Sequence, residues 1–166
     1  MIPVEDLEEI RRRVARSAPG PWVVEQDGFG VPRIRTAAAD GPSEIVVWRD
    51  FLPAAEADVE FIAMARNLLE RLVKAAGGET DAITEKELTA LESAGRRASG
   101  GPWVAYVDSD IPEGGAPYIA VGGDREAPDM YVWIGEEFAP RPDVELIAAA
   151  RQDVPRLVRE LRLRRG

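Results

Sequence analysis

The chain has 166 residues, of which 45% are hydrophobic, and its formal net charge is −9. This length suits one medium domain or two small ones, and this composition is typical of a folded globular protein. The acidic balance argues against DNA or RNA as a partner, because binding to phosphates requires clustered Lys and Arg side chains. No apolar run approaches the roughly 18 residues of a membrane span, so we expect no membrane association.

Cysteine and histidine are both missing from the sequence. Without cysteine there is no disulfide and no thiolate zinc site, which fits a cytoplasmic protein. Without histidine there is no Ser-His-Asp triad and no imidazole metal ligand. We therefore expect neither a metal nor a cofactor, although carboxylates alone can hold Mg²⁺ or Ca²⁺.

The first half of the chain predicts two helices that flank three short strands. Apolar residues at three- and four-residue steps predict a helix over 3–16, which the proline-rich segment 18–21 ends. Short apolar runs between turn residues predict strands at 22–25, 32–36 and 44–48. A long helix with one apolar side is predicted over 53–76, and Gly77 and Gly78 end it.

The second half predicts the same order of elements. Thr84 and Glu87 have the spacing of a capping box, which opens a helix. Strands are predicted near 103–108, 118–121 and 130–134. Pro142 and Asp143 open the last helix, which Pro155 should kink or restart, because proline lacks the backbone N–H and clashes one turn back.

Motifs of the first half recur in the second half in the same order. The segment Asp58–Arg66 is echoed by Asp143–Arg151, Gly-Pro-Trp-Val occurs at 20–23 and at 101–104, and Val-Trp occurs at 47–48 and at 132–133. We therefore predict a tandem duplication of an α-β-β-β-α module, with one copy in 1–78 and the other in 79–166.

The predicted fold class is α+β, with antiparallel strands packed against helices. We expect the two modules to pack as one globular unit about a pseudo-twofold axis, because one module alone has a small core. The chain would then be a monomeric pseudo-dimer, and a homodimer is the alternative.

Four tryptophans fall at matching places in the two copies. Trp22 and Trp103 follow a Gly-Pro turn and lead an apolar strand, so we predict that they anchor the core. A structural role is also predicted for the repeated helix positions Phe61, Ile62, Leu146 and Ile147.

Two interpretations are open for Trp48 and Trp133. Their strands are apolar on both faces, so each strand is either sandwiched or presents an aromatic surface to a ligand. Aromatic rings flanked by arginine suit a planar anionic ligand such as a nucleotide. The candidate ligand-binding residues are Trp48, Trp133, Tyr131, Arg33, Arg35, Arg49 and Arg125.

Two groups of charged residues also have simple structural explanations. The repeated acids Asp58, Glu60, Asp143 and Glu145 begin helices, where negative charge is favourable, so we predict no catalytic residue among them. The segment Arg156–Arg165 carries five arginines and one glutamate. These arginines either bind an anionic partner or stay solvated at a helix C-terminus and offset its dipole.

The Gly-Pro-Trp turn and the Asp-Val-Glu-Phe-Ile-Ala-Met-Ala-Arg helix are similar to those of a family of small proteins from actinobacteria and their phages. That family has a Pro-Gly-Pro-Trp start, an Asp-x-x-Phe-Ile-Ala-x-Ala-Arg helix and no assigned activity. The second copy departs from the pattern at Leu146, where phenylalanine is usual, and the first copy lacks the later Asp-Val-Pro step. The resemblance implies an accessory role in a phage or mobile element, with interference in host defence as one form of it.

The sequence thus predicts a non-enzymatic binding protein that occupies a protein partner or a small anionic ligand. The alternative is a host-defence inhibitor that sequesters a nucleotide signal between the two modules. A carboxylate-dependent hydrolase, which needs only two acids, is a remote alternative.

Overall fold

The computed structural model describes most of the chain, namely residues 1–37, 44–49, 52–79, 83–111, 115–122 and 129–166. Its α-helices are α1 (Val4–Arg16), α2 (Glu56–Ala76), α3 (Glu85–Arg97) and α4 (Arg141–Arg165). Its strands are β1 (Val23–Gln26), β2 (Pro32–Arg35), β3 (Glu44–Arg49), β4 (Leu52–Pro53), β5 (Trp103–Tyr106), β6 (Tyr118–Val121), β7 (Met130–Ile134) and β8 (Glu137–Phe138).

All of these strands belong to one antiparallel sheet, in which both halves of the chain take part. Six of them follow the order β1-β2-β3-β7-β6-β5, while β4 pairs with β3 and β8 pairs with β7. The two halves meet in the middle of the sheet, where β3 runs beside β7 and Val47 lies opposite Val132. The fold is therefore α+β with an antiparallel sheet, as the sequence predicts.

Helices α2 and α4 pack against one face of this sheet. Helix α2 contacts β1 and β2, helix α4 contacts β5 and β6, and the two helices contact each other. The strand residues on this face are buried, and they include Ile34, Ile45, Val47, Ile119, Met130 and Val132. We call this face of the sheet the inner face and the opposite one the open face.

Local sequence accounts for where the helices begin. The hydroxyl of Thr84 accepts a hydrogen bond from the Glu87 N–H, and the Glu87 carboxylate accepts one from the Thr84 N–H, which is the predicted capping box. Both long helices follow the same pattern, in which an extended residue (Ala55 or Pro140) precedes acids in the first turn.

Three local predictions differ from the structure. Helix α2 begins at Glu56 and not near residue 53, because Leu52 and Pro53 form β4 instead. The strand predicted to reach residue 108 ends at Tyr106, and a 3₁₀ turn covers Asp108–Asp110. Helix α4 continues through Pro155 and does not restart there, because the neighbouring Val154, Leu157 and Val158 are all buried in the core.

Candidate functional site

Alternation along β3 and β7 places large aromatic side chains on the open face. Ile45 and Val47 of β3 are buried on the inner face, so Val46 and Trp48 point the other way. In β7 the open-face residues are Tyr131 and Trp133, which lie directly opposite Trp48 and Val46. All four of these side chains are only partly buried. Of the two interpretations of Trp48 and Trp133, the structure therefore favours the aromatic surface.

These residues line a cleft of about 740 Å³. We call it the aromatic cleft and define it by its lining residues, which are Val31, Arg33, Val46, Trp48, Tyr131, Trp133, Gly135, Glu136 and Phe138. The volume lies within the range of roughly 300–1,000 Å³ that is typical of small-molecule sites. Four of the predicted ligand-binding residues, Trp48, Tyr131, Trp133 and Arg33, thus come together in one place.

The short hairpin of β7 and β8 builds one wall of the cleft. Gly135 has φ of 61°, a conformation that glycine adopts without steric cost, and it opens the two-residue turn between Ile134 and Glu137. The hairpin sets Phe138 against Trp133, with ring centroids 4.2 Å apart. Phe138 nevertheless keeps 38% of its surface exposed. The turn also brings Glu136 to the cleft.

A row of tyrosines continues the aromatic surface towards the β5 edge of the sheet. The ring centroids of Tyr131 and Tyr118 are 6.2 Å apart. Tyr118 in turn stacks on Tyr106, with nearly parallel rings and 4.9 Å between their centroids. Burial, followed by the negative charge of Asp129, raises the pKa of Tyr118. The open face therefore carries aromatic rings from β3 across to β5.

Arg33 lines the cleft, but two carboxylates hold its guanidinium group. Its Nη2 donates to Asp27 Oδ2 at 2.8 Å, and its Nη1 donates to Glu44 Oε2 at 2.7 Å. These bonds, with Glu44 first, raise the pKa of Arg33. Backbone N–H groups of Val31 and Phe29, together with Arg33, lower the pKa of Asp27. The cation at the cleft is therefore already neutralised by neighbouring acids.

Two of the other candidate arginines, Arg35 and Arg49, do not line the aromatic cleft. Arg35 of β2 pairs with Glu25 of the edge strand β1, and 2.7 Å separates Arg35 Nη2 from Glu25 Oε1. Arg49 follows Trp48 in the strand and so points away from the open face. On the inner side, its Nη1 donates to the Ser99 hydroxyl at 2.6 Å. Arg125 lies outside the described residues.

The residues predicted to be structural lie in the core. Trp22 and Trp103 are each 1% exposed, and Phe61, Ile62, Leu146 and Ile147 are buried as well. Phe61 meets Trp103 edge to face at 5.9 Å. These contacts hold the helices to the sheet on the side away from the aromatic cleft.

The repeated arginines Arg66 and Arg151 contact the same tryptophans. The guanidinium of Arg66 lies 5.8 Å from the Trp22 ring and donates to the Ala18 carbonyl, while Arg151 lies 5.8 Å from Trp103 and donates to the Ser99 carbonyl. Burial lowers the pKa of both arginines. Among the described residues, Arg66 Nε is buried without a hydrogen-bond partner.

The repeated acids Asp58 and Asp143 are buried and bind backbone. Asp58 accepts from the Ser99 N–H and Asp143 from the Ala18 N–H, each at 2.6 Å. Burial raises the pKa of Asp143. These contacts fix the loops before the two Gly-Pro-Trp turns, so both carboxylates have a structural role in the described part of the chain.

The C-terminal arginines mostly tie α4 to other helices. Arg156 pairs with Asp6 of α1, Arg162 pairs with Glu85 and Glu92 of α3, and Arg164 pairs with Glu160. A second cleft, of about 680 Å³, lies between α3 and α4, and Phe61, Arg151, Arg159 and Arg162 are among its lining residues. It is more polar than the aromatic cleft, and Arg151 and Arg162 already have partners within the chain.

The described residues contain no group of three or more acidic side chains arranged to hold a metal ion. Within the same residues, no helix has the length and apolar character needed to cross a membrane.

Comparison of the chain with protein-family models, with curated proteins and with solved structures gives no match.

Proposed function

We propose that this protein is a non-enzymatic binding protein and that the aromatic cleft is its binding site. The observation that carries the proposal is the cluster of Trp48, Tyr131, Trp133 and Phe138, which lies on the sheet face away from the core and keeps part of each ring accessible. Core packing does not require these rings, because the helices cover the opposite face. Concave apolar surfaces of this kind are typical of ligand and partner sites.

We also propose the tandem duplication as the origin of the cleft. Support comes from equivalent contacts that run in both directions between the halves: Asp58 binds Ser99, and Asp143 binds Ala18, at the same distance of 2.6 Å. Val47 and Val132, which are equivalent positions in the repeat, lie directly opposite each other. A pseudo-twofold axis would pass between them, so the cleft would lie where module 1–78 meets module 79–166.

Nucleotide sequestration is less well supported than binding of an uncharged or cationic partner. A phosphate group needs free cationic donors, and Arg33 is held by two carboxylates while Arg35 and Arg49 lie outside the cleft. The resemblance to phage-associated proteins favours a cytoplasmic accessory role for the binding activity, which we include in the proposal.

A titration with a broad ligand panel tests the proposed function. Tryptophan fluorescence is followed while nucleotides, neutral aromatics and organic cations are added, and each mixture is assayed for released product. We expect at least one class to bind without turnover. Trp48→Ala and Trp133→Ala should weaken this binding at least tenfold, because each removes a wall of the cleft.

Tyr106→Ala is the matched control, since Tyr106 is an aromatic residue of the same face that does not line the cleft. The proposal fails if the tightest ligand binds equally well to the Trp48→Ala, Trp133→Ala and Tyr106→Ala variants. It also fails if a ligand is turned over and the turnover is lost when one carboxylate is replaced.

A further inference from the structure

We infer that the aromatic cleft binds a small organic cation, with its positive group held against the rings of Trp48, Tyr131, Trp133 and Phe138. This inference rests on the proposed function, because it names the class of ligand for the same site. The faces of aromatic rings are electron-rich and attract cations, most strongly for Trp, and weakly hydrated ammonium groups are recognised in this way.

The charges around the cleft favour a cation as well. Arg33 is paired with both Asp27 and Glu44, so these three residues together contribute one negative charge. Glu136 adds a second one, and within the described part of the chain no Lys or Arg lies within ion-pair distance of it. A ligand cation would therefore enter a surface that is both aromatic and acidic, whereas an anion would face uncompensated carboxylates.

The shape and volume of the cleft indicate how large the ligand is. Val46 lies opposite Trp133, and Tyr131 lies opposite Trp48, so the base of the cleft is apolar. The carboxylate of Glu136 lies on the exposed hairpin turn beside it. The volume of about 740 Å³ exceeds that of a bare ammonium group. The best fit is thus a cation that carries an apolar or aromatic body.

Three probes of nearly equal shape and different charge test the inference. They are (4-hydroxyphenyl)trimethylammonium, the neutral 4-tert-butylphenol and the anionic 4-hydroxybenzenesulfonate. Affinities are measured by calorimetry for the parent protein. We expect the cation to bind about five- to thirty-fold more tightly than the neutral probe, as a desolvated cation–π contact implies, and the sulfonate to bind most weakly.

Variants then locate the cation. Glu136→Gln should weaken binding of the cation about two- to five-fold and leave the neutral probe unchanged, as for a partly screened charge pair. Glu137→Gln is the matched control, because it makes the same change on the next residue, which does not line the cleft. Phe138→Leu, a conservative change at an exposed ring, should weaken the cation more than the neutral probe.

The outcomes separate this inference from the proposed function. Equal or tighter binding of 4-tert-butylphenol overturns the cationic ligand and leaves the cleft as an apolar binding site. Tightest binding of the sulfonate, or no binding of any probe while a nucleotide or a basic peptide binds at Trp133, also overturns it. Loss of cation affinity in Glu137→Gln but not in Glu136→Gln would overturn the inference, because the cation would then lie outside the aromatic cleft.

Discussion

The four tryptophans have two different kinds of surroundings although they occur in recurring sequence motifs, Gly-Pro-Trp-Val and Val-Trp. Trp22 and Trp103 are closed in by a helix and by an arginine, and their indole N–H groups donate to the carbonyls of Ala18 and Gly100. Trp48 and Trp133 lie on the open face, line the aromatic cleft and are only partly buried. The first pair should therefore contribute to folding and the second pair to binding.

A comparison of alanine variants tests this division. Trp103→Ala removes a fully buried ring and should lower the free energy of unfolding by about 3–5 kcal/mol. Trp133→Ala removes mainly a cross-strand contact and should lower it by about 1 kcal/mol. Chemical denaturation of both variants at neutral pH provides the values. Equal losses would mean that Trp133 is a core residue, which would argue against a functional role for its ring.

Helices α2 and α3, which lie on either side of the junction between the halves, are joined by two ion pairs, and the shorter is the pair of Arg71 with Glu87. Arg71 of α2 donates to both oxygens of Glu87 in α3, at 2.5 and 3.0 Å. The same carboxylate completes the capping box of Thr84. The bonds from Arg71, followed by those from Thr84, lower the pKa of Glu87 to about 2.

This lowered pKa predicts a pH dependence of stability. The native state favours the charged form of Glu87, so the stabilisation is complete above the ordinary glutamate pKa of 4.5, which applies to the unfolded chain, and is lost as the pH falls towards about 2. Glu87→Gln should cost about 0.5–1 kcal/mol at neutral pH, because the pair is partly exposed and screened. Denaturation at several pH values should show this difference shrinking between pH 4.5 and pH 2.

Glu8→Gln, a change at an exposed acid of α1, is the control and should follow the parent protein at every pH. A loss for Glu87→Gln that stays constant down to pH 2 would mean that shape, not charge, is what matters at this junction.

Most helices and strands could be predicted from local sequence. The remaining elements form only through pairing between strands. The helices and the six longer strands could be predicted because their apolar periods and their turn residues are explicit. Strands β4 and β8 are two residues long, which is too short for any period to appear. Pro155 stays within α4 because burial of the adjacent apolar residues outweighs the lost backbone bond, a tertiary effect that local rules do not contain.

The candidate site likewise could be predicted only in part from the sequence, because its residues meet through tertiary pairing of strands. Alternation alone puts Trp48 on one side of β3 and Trp133 on one side of β7, and the sequence could predict both as candidates. Their meeting depends on the pairing of β3 with β7. Phe138 and Glu136 were missed because they reach the cleft only through the β8 hairpin. Proximity in sequence also predicts Arg35 and Arg49 at the site, but Arg35 pairs with Glu25 outside the cleft, and strand alternation turns Arg49 away from the open face.

Binding of a ligand to the open face, in the cleft between β3 and β7, can be observed directly at the tryptophans. The four indole N–H groups can be followed separately by NMR while a ligand is added. We predict that the signals of Trp48 and Trp133 shift and saturate together, while the signals of Trp22 and Trp103 stay in place. Trp103 lies outside the aromatic cleft, and its ring is 5.8 Å from Arg151, which lines the second cleft, so its signal reports on binding on the helical side of the sheet. Saturable shifts confined to Trp103, with Trp48 and Trp133 unmoved, would show that the ligand binds outside the aromatic cleft and would overturn the proposed site.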